Sequence, residues 1–91
     1  MTFDQAVSLV EAERTRQQEK YSIPHAWGTG DCSSADLTWL VKAAMLSEKC
    51  GDVSRAVLDP NRPSLLRDEV TRVAAVAIAM LEGMSHYEIG R

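Results

Sequence analysis

Val73-Ala-Ala-Val-Ala-Ile-Ala-Met-Leu81 runs for nine residues without a charge. As a helix it is apolar on every side, so it has to be covered on every side. Two companion helices can hardly do that. A second copy of the chain is therefore expected to complete a larger bundle by dimerisation, the alanines letting helices approach closely. Around the run, the spacing predicts a helix from Leu65 to Glu82. Ser64 is its candidate cap, Gly83 its stop, and Arg67, Asp68, Glu69 and Arg72 its first charged turns. Met84–Arg91 reads as a polar tail.

Upstream, Asp59-Pro60-Asn61-Arg62-Pro63 is a turn, because two prolines forbid a helix on either side. Before it a second helix is expected from Ala35 to Leu58, with Ser33 or Ser34 as cap. Trp39, Ala43, Leu46, Cys50, Val53 and Val57 alternate by four and three, the pattern of a packing seam. Cys50 on that seam reads as a small buried hydrophobe. Met45, Lys49, Asp52 and Ala56 share one flank of it, and Leu37, Val41, Ala44 and Glu48 extend the apolar surface. Charged groups thus interrupt a surface that should be buried.

The first helix should begin at Thr2, where Thr2-Phe3-Asp4-Gln5 fits a capping box and Asp4 suits the positive helix end. Its apolar face is Phe3, Val7 and Val10. Continued at helical spacing, that face becomes Arg14, Gln17 or Gln18, then Tyr21. Either the second half leaves the core, or it lines a wet pocket. Ser22–Ser34 is a loop broken by Pro24, Gly28 and Gly30. Its His25 and Trp27 either stack on a nucleobase or stand in solvent.

With 91 residues the chain is one domain: residues 1–83 form the helical unit and 84–91 the tail. A chain of this size buries only roughly 60–65% of its unfolded surface, so stability is marginal unless copies associate. A net charge of −3 supplies no electrostatic footprint for nucleic acid or an anionic membrane. No run approaches the roughly 20 apolar residues of a membrane span, and the acidic start is not a signal peptide. The chain reads as cytoplasmic. Cys32 and Cys50 have no metal-type spacing, and no structural disulfide is expected.

Leu46-Ser-Glu-Lys-Cys-Gly-Asp-Val-Ser-Arg-Ala-Val57, followed by Leu66-Arg-Asp-Glu-Val-Thr-Arg-Val-Ala-Ala-Val-Ala-Ile-Ala-Met-Leu-Glu82, resembles the MazG-like nucleotide pyrophosphohydrolases. That family carries Glu-Glu-x-x-Glu on one helix and Glu-x-x-Asp on the next. A branch frequent in phages and actinobacteria has Glu-x-x-Gln-Val-Ala-Ala-Val-Ala on the later helix. Glu13-Arg-Thr-Arg-Gln-Gln-Glu-Lys-Tyr21 and Gly28-Thr-Gly30 are similar to upstream segments of that branch. The likeness implies an all-α fold of three main helices with an antiparallel pair. It also implies a site in which carboxylates hold Mg²⁺ and a nucleoside triphosphate is split to monophosphate and pyrophosphate.

On that alignment Glu48, Asp52 and Glu69 are the metal-ligand candidates. Arg14, Gln17, Lys20 and Lys49 are the candidate phosphate or base contacts, the upstream three on helix-face grounds alone. Two positions depart from the pattern: Lys49 stands where the second Glu belongs, and Arg72 where Asp or Gln belongs. An ammonium about 4 Å from a carboxylate interacts by ~4 kcal/mol at an effective dielectric of 20, and repels Mg²⁺ about twice as strongly. A salt-bridge network of Lys49, Asp52, Glu69 and Arg72 can therefore stand in for the metal. What the resemblance implies is a MazG-like nucleotide-binding protein, a weak Mg²⁺-dependent pyrophosphohydrolase in its active form. The alternative is a catalytically inactive interaction or inhibitor protein of phage or mobile-element type, with a protein partner.

Overall fold

Thr2 starts the first helix through a complete capping box. Its hydroxyl accepts from the Gln5 amide at 3.2 Å, and its own amide donates to Gln5 Oε1 at 2.8 Å. Helix α1 then spans Phe3–Lys20 and ends where the Tyr21 amide donates to the Gln17 carbonyl. The computed structural model describes residues 1–87.

The loop expected over 22–34 contains a small hairpin. Strand β1, Pro24–His25, pairs antiparallel with β2, Gly28–Thr29. Gly28 and Gly30 have φ of 135° and 96°, conformations that side chains rarely adopt, so both positions require glycine. Helix α2 spans Trp39–Val57, four residues later than the expected start, and its cap is Thr38. Ser33 and Ser34 are engaged elsewhere. Ser33 donates its amide and hydroxyl to Asp31, while the Ser34 hydroxyl donates to the Thr29 carbonyl and accepts from the Asp36 amide. A serine held in an Asx-type turn cannot also cap a helix.

Helix α3 spans Pro63–Tyr87. Pro63 opens it, since its fixed φ and missing N–H suit a first helical position, so Ser64 lies inside the helix. Gly83 does not end it. The first four residues of the expected tail, 84–87, are helical, and 88–91 lie outside the described residues.

Helix α3 packs against both α1 and α2, while α1 and α2 make no comparable contact with each other. The uncharged run is thus the central rod. Ala75, Val76 and Ala79 are buried, with Cys32, Met45, Leu46 and Met80 packed around the latter two. α2 and α3 are antiparallel: Lys42 near the start of α2 lies beside Gly83 of α3, and Ala56 near its end shares a cleft with Leu65.

The contact face of α2 is rotated from the expected seam. Ala43, Cys50 and Val57 are exposed, whereas Lys42 and Ala56 are buried and Met45, Lys49 and Asp52 half-buried. Cys50 is therefore not a buried hydrophobe; Cys32 is, with its Sγ 3.8 Å from Met45 Sδ. Long basic side chains can lie along a packed face with only their heads in polar surroundings. Lys42 does this: it is 2% exposed, and its Nζ sits 4.4 Å from the centroid of the Trp39 ring.

A Cβ added at Gly83 would lie 3.1 Å from Lys42 Nζ and 3.4 Å from the carbonyl oxygens of Cys32 and Ser33. In an open helix, glycine to alanine gains ~1 kcal/mol. Here that gain meets a tight contact with the ammonium of the buried Lys42, and overpacking of that kind costs ~1–3 kcal/mol. Gly83→Ala is expected to lower stability by about 1 kcal/mol, read as a fall of several degrees in melting temperature.

Candidate functional site

α1 reverses the expected order of its face. Phe3 and Val7 are exposed, while Arg14 and Gln17 are the buried residues of the helix. The polar half stays in the packed interior, and Arg14 also borders a groove between α1 and α3. Arg14 Nη1 donates to Asp31 Oδ2 at 2.6 Å, and its Nε donates to Glu82 Oε1 at 2.7 Å. One guanidinium thereby ties α1 to the loop and to the far end of α3. Asp31 also accepts from the Ser33 amide and hydroxyl. Burial alone would raise the Asp31 carboxyl; the Ser33 and Arg14 hydrogen bonds outweigh it and hold the group below its ordinary value.

Gln17 Nε2 donates to Glu13 Oε2 at 3.1 Å and to the Arg72 carbonyl at 3.5 Å. Hydrogen bonding from Arg16 holds the Glu13 carboxyl below the ordinary range, against the effect of burial. Lys20 is exposed, with Nζ 5.3 Å from the Tyr21 ring centroid. Of the four candidate phosphate contacts, Arg14 is engaged internally and Lys20 is remote from the interior. Gln17 and Lys49 do meet, in a small cavity also lined by Arg16, Tyr21, Asp31, Cys32, Met45 and Val76. Its volume of about 20 Å³ is room for a single water.

The metal-ligand candidates divide. Asp52 and Glu69 line one cleft of about 300 Å³ between α2 and the start of α3, together with Arg55, Ala56, Asp59 and Leu65. Glu48 is exposed and does not line it. Asp52 lies 3.8 Å from Lys49 Nζ and is hydrogen-bonded by Arg55. Glu69, 7% exposed, is hydrogen-bonded by Arg72. All three pairs run i to i+3 along one helix, so each helix neutralises its own carboxylate without reaching across. Among the described residues, no group of three or more His, Cys, Asp or Glu side chains is arranged to hold a metal ion. As arranged, this donor set does not fit Mg²⁺, which needs several converging oxygens.

The hairpin stacks its own aromatic groups. The His25 ring meets Tyr21 edge-on at 5.8 Å and Trp27 at 5.6 Å, and its Nε2 donates to the Gly30 carbonyl at 3.0 Å. Nδ1 is buried without a partner, so no ligand reaches that atom in this conformation. Trp27 is exposed. Burial pushes the Cys32 thiol up, with Asp31 adding to the effect, so this sulfur is a packing group and not a nucleophile.

Local spacing could have revealed Arg55, three residues after Asp52, and the Asp31-x-Ser33 turn. Arg14–Glu82 spans 68 residues and leaves no local signal. An apolar concavity lies elsewhere. It is a groove of about 480 Å³ between α1 and α3, whose apolar lining is Phe3, Ala6, Val7, Val10 and Ile78. No helix among the described residues is long and apolar enough to cross a membrane. No protein-family model, no curated protein and no solved structure matches the chain.

Proposed function

We propose that the chain is a MazG-like interaction protein, working as a homodimer, that keeps the antiparallel helix pair of a nucleotide pyrophosphohydrolase without its metal centre. The observation that carries this reading is the pairing of Asp52 with Lys49 and Arg55, and of Glu69 with Arg72, while Glu48 faces solvent. A dication would have to displace three cations, Lys49, Arg55 and Arg72, from buried or half-buried carboxylates and enter a site that already holds positive charge. Arg14, the strongest candidate for gripping phosphate, is saturated by Asp31 and Glu82. An accessory protein of phage or mobile-element type fits this combination.

A second reading rests on the cleft that Asp52 and Glu69 share. Rotation of Lys49, Arg55 and Arg72 away from these groups would leave two free carboxylates lining one cleft, the core of a weak Mg²⁺-dependent nucleotide site. Calorimetric titration with Mg²⁺ and Mn²⁺, paired with pyrophosphate release from a panel of nucleoside triphosphates, separates the two. An interaction protein gives no saturable binding tighter than about millimolar, near the −4 kcal/mol level, and no turnover. Micromolar binding with turnover that Glu69→Gln abolishes would make the chain a hydrolase.

A further inference from the structure

We infer that the α1/α3 groove seats an amphipathic helix of a partner protein, one whose apolar stripe ends in lysine or arginine. The inference rests on reading the chain as an interaction protein, and names the surface and the chemistry of its partner. On α1 the lining follows one helix face from Phe3 through Val7 and Val10 to Glu11 and Thr15. At about 1.5 Å per residue that face is roughly 18 Å long, enough for a partner helix of about three turns. Ile78 of α3 adds an apolar group and Glu82 a carboxylate. The apolar side chains are accessible, Phe3 being 81% exposed and Ile78 41%. The groove changes character along its length, from apolar at Phe3 to charged where Glu11, Arg14 and Glu82 line it.

Charge selects the occupant. The Arg14 guanidinium is bonded to both Asp31 and Glu82, while the exposed Glu11 has no ion-pair partner among the described residues. One cation therefore stands among three carboxylates, a local surplus of two negative charges at this end of the groove. No lysine and no second arginine lines it. Complementary potential across an interface chooses the partner and fixes its register. Here it calls for a cation beside Glu11, at the end of an apolar stripe of the i, i+3, i+7 kind that grooves between helices read. A second copy of the chain fits poorly. Two-fold pairing sets a patch on its own copy, so the acidic end would meet either itself or the apolar end, and the homodimer is expected to use another face. The same surplus repels anionic lipid and nucleic acid.

Fluorescence anisotropy on the full chain tests the inference with two labelled synthetic peptides of about 15 residues. Both are alanine- and glutamine-based helices with leucines at i, i+3 and i+7; one ends in two arginines and the other in two glutamines. The arginine peptide is expected to bind with a dissociation constant of about 10 μM. The glutamine peptide should bind about 5-fold more weakly, the range of an exposed charge pair, with the gap closing as salt rises. Glu11→Lys, at an exposed position, cancels the surplus and should erase that preference. Ile78→Lys should weaken both peptides at least about 10-fold, as loss of a central apolar contact does. If Ile78→Lys loses helical circular dichroism, Phe3→Gln, at a position 81% exposed, decides instead. Leu40→Glu, at an apolar position 81% exposed on α2, should change neither affinity. No saturable binding of the arginine peptide would overturn the inference. So would equal affinity for the two peptides, or a loss at Leu40→Glu as large as at Ile78→Lys. A chain that fails here and binds no metal is still an interaction protein, with its contact surface elsewhere. Metal binding with nucleotide turnover would instead remove the reading beneath it.

Discussion

Arg14→Met is expected to be the most damaging single substitution in the interior, lowering stability by about 3 kcal/mol at neutral pH. Methionine keeps much of the side-chain length and removes the charge, leaving the buried Asp31 carboxylate without its cation. Breaking a buried pair by removing one partner costs ~3–5 kcal/mol. The low end applies because Asp31 keeps two bonds from Ser33 and because Glu82 is partly solvated. For a chain of this size that is a large share of the total. The deficit should also depend on pH. In the wild type the Asp31 carboxyl titrates below its ordinary value of 3.8, so its contribution is complete above that pH and is lost as pH falls through the lower, folded value. The variant lacks part of that contribution, and acid protonates Asp31 in both proteins. The gap between them should therefore be widest near pH 7 and shrink below about pH 4. Urea unfolding at pH 7 and pH 3 measures it; an equal gap at both would place the loss in packing and not in charge.

Lys49→Glu combined with Arg72→Asp should convert the helix pair from self-neutralised to metal-dependent. Lys49 lies 3.8 Å from Asp52, Arg72 is bonded to Glu69, and Asp52 and Glu69 line one cleft. Exchanging both cations for carboxylates puts four acidic groups along the α2/α3 seam. Like charges that close repel, so the metal-free variant should melt well below the wild type. Mn²⁺ or Mg²⁺ then binds the folded form alone, and a concentration 100 times the dissociation constant restores ~2.7 kcal/mol. Thermal melts across a metal titration should show a rising midpoint for the variant and a flat one for the wild type. A variant destabilised equally with and without metal would mean that the four positions do not converge.

How far the sequence could be read follows from which forces act locally. The Thr2 capping box and the Asp59–Pro63 turn are set by neighbours within a few residues, and both were legible. The uncharged run identified the central helix because no other position tolerates apolar groups on so many sides. Its orientation was not legible. Phe3 and Val7 look like core by composition, yet they are exposed because Arg14 and Gln17 are drawn inside by Asp31, Glu82 and the Arg72 carbonyl, all remote in sequence. The rotation of α2 has the same origin. Lys42 breaks the apolar pattern, and only the Trp39 face and the small Gly83 across the interface reveal why it is buried. At the candidate site, the presence of the basic Lys49 and Arg72 among the carboxylates was visible. Pairing within each helix, and the turn of Glu48 to solvent, depended on side-chain direction that spacing leaves open.

Soaking crystals of the wild-type protein in Mn²⁺ and locating the anomalous scatterer tests the replacement of metal by ion pairs most directly. The expected map has no peak between α2 and α3, with Lys49 on Asp52 and Arg72 on Glu69. A peak ligated by Glu48, Asp52 and Glu69, with both basic side chains turned into solvent, would contradict it.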